Sequence, residues 1–361
     1  MMKLGILTFP KAINYGAALQ ATALRKVLLQ RGESVQFLDY SCKAIDRTSK
    51  VFDLANLFSV KYTIAHLYNM PEAIKRQKNF SNYWKKHLAF GSDNPKDYDA
   101  VIVGSDQVWN YQLTNDDLFY FLNFKKDAVK KVAYAASFGL SAVDEEHAKA
   151  IAPLLLDFDC VSVREKQAAK IVRETAGMDV PVVCDPTLLL NKSEWEEIAA
   201  EKSKNSGYIF VYTVFNSDAV WEYAKKLSQK TGLPIKTISY SKLHKREAVY
   251  DYTAGPDDWV GYMLGADYVV TNSFHGVAFS INFNKNFFFD MPPQKAGVGS
   301  RISDITERYS LQQRNISAAD FADTTEAPDF EKANALLEED RKLSFGFIDG
   351  FLTNEPLEES H

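Results

Sequence analysis

Cysteine is scarce: Cys42, Cys160 and Cys184 are all that 361 residues contain, widely scattered and with no CxxC spacing. Cys160 and Cys184 sit in apolar, strand-like runs, so the three read as buried free thiols of a reducing compartment. Positive charge is not in excess either. A net charge of −5 and a pI near 5.8 argue against general nucleic-acid binding, which needs basic surface to displace phosphate counterions. No apolar run approaches the ~18 residues that span a bilayer, and the opening MMKLGILTFP goes straight into a strand, so the expected location is cytoplasmic. Also missing are a Walker loop, GxSxG, HExxH and any His/Cys/Asp cluster at metal-binding spacing. Neither a metal nor a cofactor is expected. There is no low-complexity tract, and no repeat beyond a weak similarity of the two halves.

What remains is a chain with 46% hydrophobic and 13% aromatic residues, enough for two cores at roughly 100 to 200 residues per domain. Strand-like runs alternate with helical stretches, which predicts parallel sheets with crossover helices. The first half offers strands at 4–9, 34–40, 99–104, 130–137, 160–164 and 180–185, with helices near 17–31, 66–89, 143–156 and 165–177. The second half offers strands at 208–214, 235–239, 267–271 and 286–290, with helices near 192–202, 217–231, 256–265, 275–283 and 300–309. The boundary is expected after Asp185-Pro186-Thr187, with Ser193 capping a new helix and Glu196 in capping-box position. The expected organisation is therefore two Rossmann-like α/β domains, 1–190 and 191–330. Residues 331–361 add a terminal helix, to about 344, and an acidic end.

In open parallel sheets ligands bind beyond the carboxyl ends of strands, and that rule selects the segments to inspect. The richest is DYVVTNSFHGVAFSINFNKNFFFD, 267–290, which sets His275 at the turn from a buried strand into a helix. Gly276 would let something approach the backbone closely, and the first N–H groups of the helix favour an anion. A satisfied core histidine at a strand end is the plainer reading. In LTFPKAINYGAALQATAL, Gly16 offers close approach and Asn14 and Tyr15 offer hydrogen-bonding groups, or Asn14 simply caps the helix. VIVGSDQVWN puts Ser105, Asp106, Gln107, Trp109 and Asn110 on one loop. A carboxylate, two amides and an indole resemble a carbohydrate site, with Trp109 as the stacking face and Asp106 accepting a hydroxyl proton. Alternatively Asp106 is a cap and Trp109 is core. DCVSVRE ends a strand in Arg164 and Glu165, and Arg164 is either a fork for phosphate or carboxylate or part of a surface ion pair. GVGSRISDI, 297–305, supplies Arg301 as a second anion contact or as a solvated helix start.

Residues 61–90 carry six basic residues against Glu72, a local charge of +5, interleaved with aromatics. Such a stretch could dock on an anionic membrane surface, or be the solvated face of an ordinary helix. His66, His87, His147 and His244 all read as structural or solvated.

Taken in order, NYGAALQATAL, VGSDQVWN, SVRE, CDPTLLL and TNSFHG resemble the polysaccharide pyruvyl transferase family over roughly residues 5 to 305. The resemblance implies a GT-B-like enzyme that moves the enolpyruvyl group of phosphoenolpyruvate onto hydroxyls of a sugar, polymer-borne or lipid-linked, releasing phosphate. It places the acceptor with the first domain and phosphoenolpyruvate with the second. His275 matches the family's histidine, and Arg164 matches an arginine associated with the phosphoenolpyruvate site. One position departs: members often carry an arginine two residues before the histidine, where this chain has Ser273. The missing charge is expected from Arg301 or a lysine. Histidine suits the protonation of an enol carbon, since its unperturbed pKa of about 6.5 can be moved either way, by the positive helix end or by a bound anion. Two other functions stay open on the sequence: a GT-B glycosyltransferase using a nucleotide sugar, and a non-catalytic carbohydrate-binding protein of the same fold.

Overall fold

The structure, a computed structural model, describes residues 1–48, 60–126, 128–200, 206–243, 246–291 and 299–353. The chain divides into two compact units. Unit 1 holds Met1–Thr48, His87–Leu190 and Ala335–His361; unit 2 holds Ser49–Lys86 and Asn191–Asn334.

In chain order the elements begin with β1 (Lys3–Leu7), α1 (Tyr15–Gln30), β2 (Ser34–Phe37), α2 (Lys43–Thr48) and α3 (Val60–His87). Then come β3 (Ala100–Val103), α4 (Tyr111–Thr114), β4 (Lys130–Ala136), α5 (Glu145–Leu155), β5 (Cys160–Val163), α6 (Lys166–Ala176) and α7 (Pro186–Leu189). The second half runs α8 (Lys192–Ile198), β6 (Ile209–Tyr212), α9 (Asp218–Thr231), β7 (Ile235–Ile238), β8 (Val249–Asp251) and α10 (Pro256–Gly265). It closes with β9 (Tyr268–Thr271), α11 (Phe274–Asn282), β10 (Asn286–Phe289), α12 (Gly299–Arg308) and α13 (Glu331–Thr353).

Both units are Rossmann-like. The sheet of unit 1 has the order β2-β1-β3-β4-β5 and that of unit 2 the order β10-β9-β6-β7-β8, every pair parallel. Strands such as Ala100–Val103 and Ile209–Tyr212 are buried at every residue, which is why they read as continuous apolar runs. In each sheet the chain builds outward from its first strand, returns, and continues on the other side. The reversal falls between β1 and β3 in unit 1 and between β6 and β9 in unit 2. Loops diverge beyond the strand ends at such switch points, and ligands bind there in this class of sheet.

Four expectations need correcting. Residues 180–185 form no strand, only a bridge of Val182 to Val163, because Pro181 has no N–H to give and Asp185 already caps α7. β8 is a strand that the sequence reading lacks; at three residues it shows no alternation to detect. The cap of α8 is Asn191 in a capping box with Glu194, two residues before the expected Ser193 and Glu196. The final helix runs to Thr353, and from Ala335 on it is no separate appendage but part of unit 1. Phe347, Ile348 and Phe351 are buried there, the Ser344 hydroxyl accepts the Cys184 N–H at 2.9 Å, and Arg31 pairs with Asp349. Of the free cysteines Cys42 and Cys184 are buried and Cys160 is half-buried. The acidic end and His244 lie outside the described residues, as do the first two residues of GVGSRISDI. No helix among the described residues is long and apolar enough to cross a membrane.

Candidate functional site

In unit 1 the loops after β1 and β3 are tied by a buried polar web. Gln20, on α1, donates from Nε2 to Thr8 Oγ1 at 2.9 Å and accepts the Ser105 N–H at 3.2 Å, while Thr8 Oγ1 donates to the Ser105 carbonyl at 3.0 Å. The turn also needs Gly104: a Cβ there would stand 2.2 Å from the Tyr134 carbonyl, and φ is +115°. Asp106 follows at φ +77°, where a short carboxylate is tolerated because it can bond locally, and its Oδ1 accepts the Gln107 N–H at 2.9 Å.

The ends of β4 and β5 add charge to this web. Arg164, with a side chain only 1% exposed, donates from Nη1 to Asp185 Oδ2 at 2.7 Å and stands 3.6 Å from Glu165 and 3.7 Å from Asp106. Burial pulls the guanidinium pKa down, but the three carboxylates outweigh that and raise it above its usual value. Ser137 donates to Glu165 at 2.7 Å, and the N–H and hydroxyl of Thr187 both donate to Asp185 Oδ1, at 3.0 and 2.7 Å. One guanidinium among three carboxylates leaves formal charge −2. Arg164 is thus no member of a surface ion pair: it is buried, and its Nη1 is held by Asp185.

Unit 2 repeats the device with different chemistry. Asn272, buried immediately after β9, accepts the Val214 N–H at 2.9 Å and donates to the Phe215 carbonyl at 2.8 Å, tying the β9 loop to the β6 loop. Ser273 caps α11, its hydroxyl accepting the Gly276 N–H at 3.4 Å. His275 is half-buried in the first turn of α11, edge to face with Phe274 at 5.2 Å. Over that same Phe274 ring, at 5.7 Å, lies the guanidinium of Arg301, which α12 delivers and which is 7% exposed. A basic group thus sits beside the ring that flanks His275. The space that Gly276 leaves open is used by the protein itself: an added Cβ would meet Thr271 Oγ1 at 2.3 Å.

Several candidates turn out to be structural. Trp109 is fully buried, stacked on Phe121 at 5.4 Å and 8°, packed by Phe138 and Phe158, with its indole N–H on the Tyr120 carbonyl at 3.0 Å, so no sugar can stack on it. Asn110 caps α4, accepting the N–H groups of Gln112 and Leu113 at 3.1 and 3.3 Å. Asn14 caps α1 through Ala17, and Tyr15 and Gly16 are buried in its first turn. Ser105 is buried, its hydroxyl donating to the Ala135 carbonyl at 3.1 Å. Gln107 lies over Gly139, where a Cβ would meet its Nε2 at 2.3 Å. Asp106 stays 16% exposed and faces solvent in part.

Gln20, Glu165, Asp185 and Asn272 were not among the expected site residues. Each lies inside a motif that was singled out: Gln20 in NYGAALQATAL, Glu165 in SVRE, Asp185 in CDPTLLL and Asn272 in TNSFHG. His147 is structural: its ring nitrogens meet Asp144 at 2.7 Å and Asp116 at 2.8 Å, and those hydrogen bonds, Asp144 first, raise its pKa. Among the described residues no group of three or more His, Cys, Asp or Glu is placed to hold a metal ion.

Against known proteins, the family model described as polysaccharide pyruvyl transferase matches residues 14–289. No curated protein matches the chain. Among solved structures, an S. aureus MnaA–UDP co-structure is similar at TM-score 0.49 and 12% identity, covering 99% of this chain and 98% of that one. UDP-GlcNAc 2-epimerase from Methanocaldococcus jannaschii, in complex with UDP-GlcNAc and UDP, gives TM-score 0.42 and 12% identity over 95% and 100%. The wall teichoic acid polymerase TagF gives 0.36 and 12% over 83% and 93%.

Proposed function

This chain belongs to the polysaccharide pyruvyl transferase family and is a transferase, and on that premise we propose that phosphoenolpyruvate is its donor and that unit 2 carries the donor chemistry. The observation that carries this reading is His275 in the first turn of α11, at the switch point of its sheet, with the Arg301 guanidinium over the adjoining Phe274 ring. Arg301 supplies the positive charge that Ser273 does not, and the helix N-terminus adds partial positive charge for a carboxylate or phosphate.

The reaction follows from the groups. His275 gives a proton to the methylene carbon of phosphoenolpyruvate while a sugar hydroxyl bonds to C2, and Asp106 takes the hydroxyl proton. A second hydroxyl of the sugar then bonds to C2 as the bond from C2 to the phosphate oxygen breaks. Phosphate leaves with that electron pair and the second hydroxyl's proton, and a pyruvate ketal remains. His275 works as the acid because the empty helix end disfavours the imidazolium, whereas the bound, multiply charged donor favours it. Asp106 is the acceptor-side group because it is the partly exposed carboxylate of its web. Arg164 acts through it as a positioning residue, 3.7 Å away.

The test is phosphate release from phosphoenolpyruvate across a panel of galactose- and mannose-type acceptors, with His275→Ala as control. Release that persists in the control removes His275 from the chemistry. Thermal protection by a nucleoside diphosphate but not by phosphoenolpyruvate replaces this reading with a nucleotide-sugar glycosyltransferase. Sugar binding without any phosphate release replaces it with a binding protein.

A further inference from the structure

The exposed face of α3 is the feature that pyruvyl transfer leaves unused. Helical spacing buries Arg76, Phe80 and Tyr83 and turns Leu67, Tyr68, Pro71, Ile74, Lys75 and Lys78 outward, with Lys85 and Lys86 further along. Among them are three large apolar side chains, Leu67, Tyr68 and Ile74, at 52%, 49% and 52% exposure. The segment after β7 adds two more beside them, Tyr240 at 50% and Leu243 at 54%. The neighbourhood is fixed by contacts within unit 2. Lys242 Nζ lies 4.2 Å over the Tyr68 ring, the Lys242 N–H donates to Asn69 at 2.8 Å, and Arg76 lies 4.2 Å over the Tyr240 ring.

Scattered single apolar residues on a surface need no explanation, but five from two segments, continued along the helix by exposed lysines, form one patch. The only acid within this stretch of α3, Glu72, is already paired with Lys242 at 2.8 Å. The exposed Lys75, Lys78, Lys85 and Lys86, in a chain of net charge −5, set the sign of the partner. The apolar half sets its class, because a nucleic acid gains nothing from leucine and isoleucine, whereas a bilayer interface takes up such side chains while lysines meet lipid phosphates.

We propose that this face of unit 2 docks on an anionic lipid bilayer, with Leu67, Tyr68, Ile74, Tyr240 and Leu243 entering the headgroup region and Lys75, Lys78, Lys85 and Lys86 lying against its charge. Docking stands apart from the donor chemistry. It would bring the enzyme to acceptors held at a membrane surface, and it is measured without any turnover.

The experiment is flotation of the full chain with phosphatidylcholine vesicles, with and without phosphatidylglycerol, over a salt series. Binding is expected only with phosphatidylglycerol and should weaken as salt rises. Lys75→Glu/Lys78→Glu should weaken it at least about 25-fold, taking about fivefold for each basic residue. Leu67→Ser/Ile74→Ser should weaken it severalfold and keep the salt dependence. Neither double variant should change phosphate release from phosphoenolpyruvate in solution, which also reports that each is folded. Absence of binding to anionic vesicles at low salt, or equal binding by the charge-reversed variant, overturns the proposal. So does RNA competing for the same face with higher affinity than the vesicles. Loss of docking in enzyme that still releases phosphate, or docking by enzyme that never does, separates this inference from the catalytic one.

Discussion

In each sheet a buried amide ties together the two loops that flank the switch point, Gln20 in unit 1 and Asn272 in unit 2. What the loops carry differs. In unit 1 the web holds Arg164 among Asp106, Glu165 and Asp185, an excess of negative charge locked by hydrogen bonds. In unit 2 the loop offers an imidazole, a helix N-terminus and a guanidinium. On the proposed reading, the anionic donor goes with the second and the sugar acceptor with the first. The same backbone solution, used twice, carries opposite charge in the two units.

That contrast can be broken by substitution, and the largest effect is expected at His275. His275→Ala should lower kcat by about 10²- to 10⁴-fold, the usual worth of a positioned acid, with the melting temperature unchanged. Activity within a few fold of the parent would mean that unit 2 does not hold the chemical end. Next comes Arg164→Ala, which strands three carboxylates around a vacated site and should cost about 3–5 kcal/mol in denaturant unfolding. Arg301→Ala is the sharpening counterpart. It should raise the KM for phosphoenolpyruvate at least about tenfold, as the loss of a charge-assisted contact would, and leave the unfolding midpoint nearly in place. If instead Arg164→Ala acts on KM and Arg301→Ala on stability, the two switch points have been assigned the wrong way round. Asn272→Ala should cost about 1–3 kcal/mol, since it removes both hydrogen bonds by which this buried side chain holds the Val214 N–H and the Phe215 carbonyl, at about 0.5–1.5 kcal/mol each.

The smallest effect concerns pH. The folded protein raises the pKa of His147, so its hydrogen bonds to Asp144 and Asp116 contribute stability in full below the unfolded value near 6.5. That contribution fades as pH rises through the higher folded value. His147→Gln should flatten this part of the stability profile while leaving the pH profile of phosphate release where it was, because His275, the proposed acid, belongs to the other unit. A shifted activity profile would tie His147 to the reaction.

Strand ends were legible in the sequence because buried parallel strands are short apolar runs that stop at polar loops, and both switch-point loops were found in this way. Side-chain roles were less legible. Asn14, Asn110 and Ser273 are the residue types that a ligand would want, and equally the types that a helix cap needs, so composition alone does not separate the two. Trp109 lies in a polar stretch, yet it folds inward because Phe121, Phe138 and Phe158, all distant in sequence, build a slot for it. Gly276 did mark a close approach, but by Thr271 from within the fold. Arg164 was placed correctly at a strand end. Its partner Asp185, twenty-one residues later, stands in the sequence as a domain boundary and as part of CDPTLLL, and neither reading points to Arg164.

The part of α13 that belongs to unit 1, from Ala335 on, gives the order of synthesis a structural meaning. Unit 2 has all of its residues once Asn334 has been added, whereas unit 1 still lacks the stretch with Ser344, Phe347 and Phe351, which are buried in the finished protein. Part of unit 1 is therefore made before unit 2 and part of it after. Until the final turns emerge, the backbone N–H of Cys184 waits for Ser344, and the surface that α13 will cover remains open to water and to chaperones.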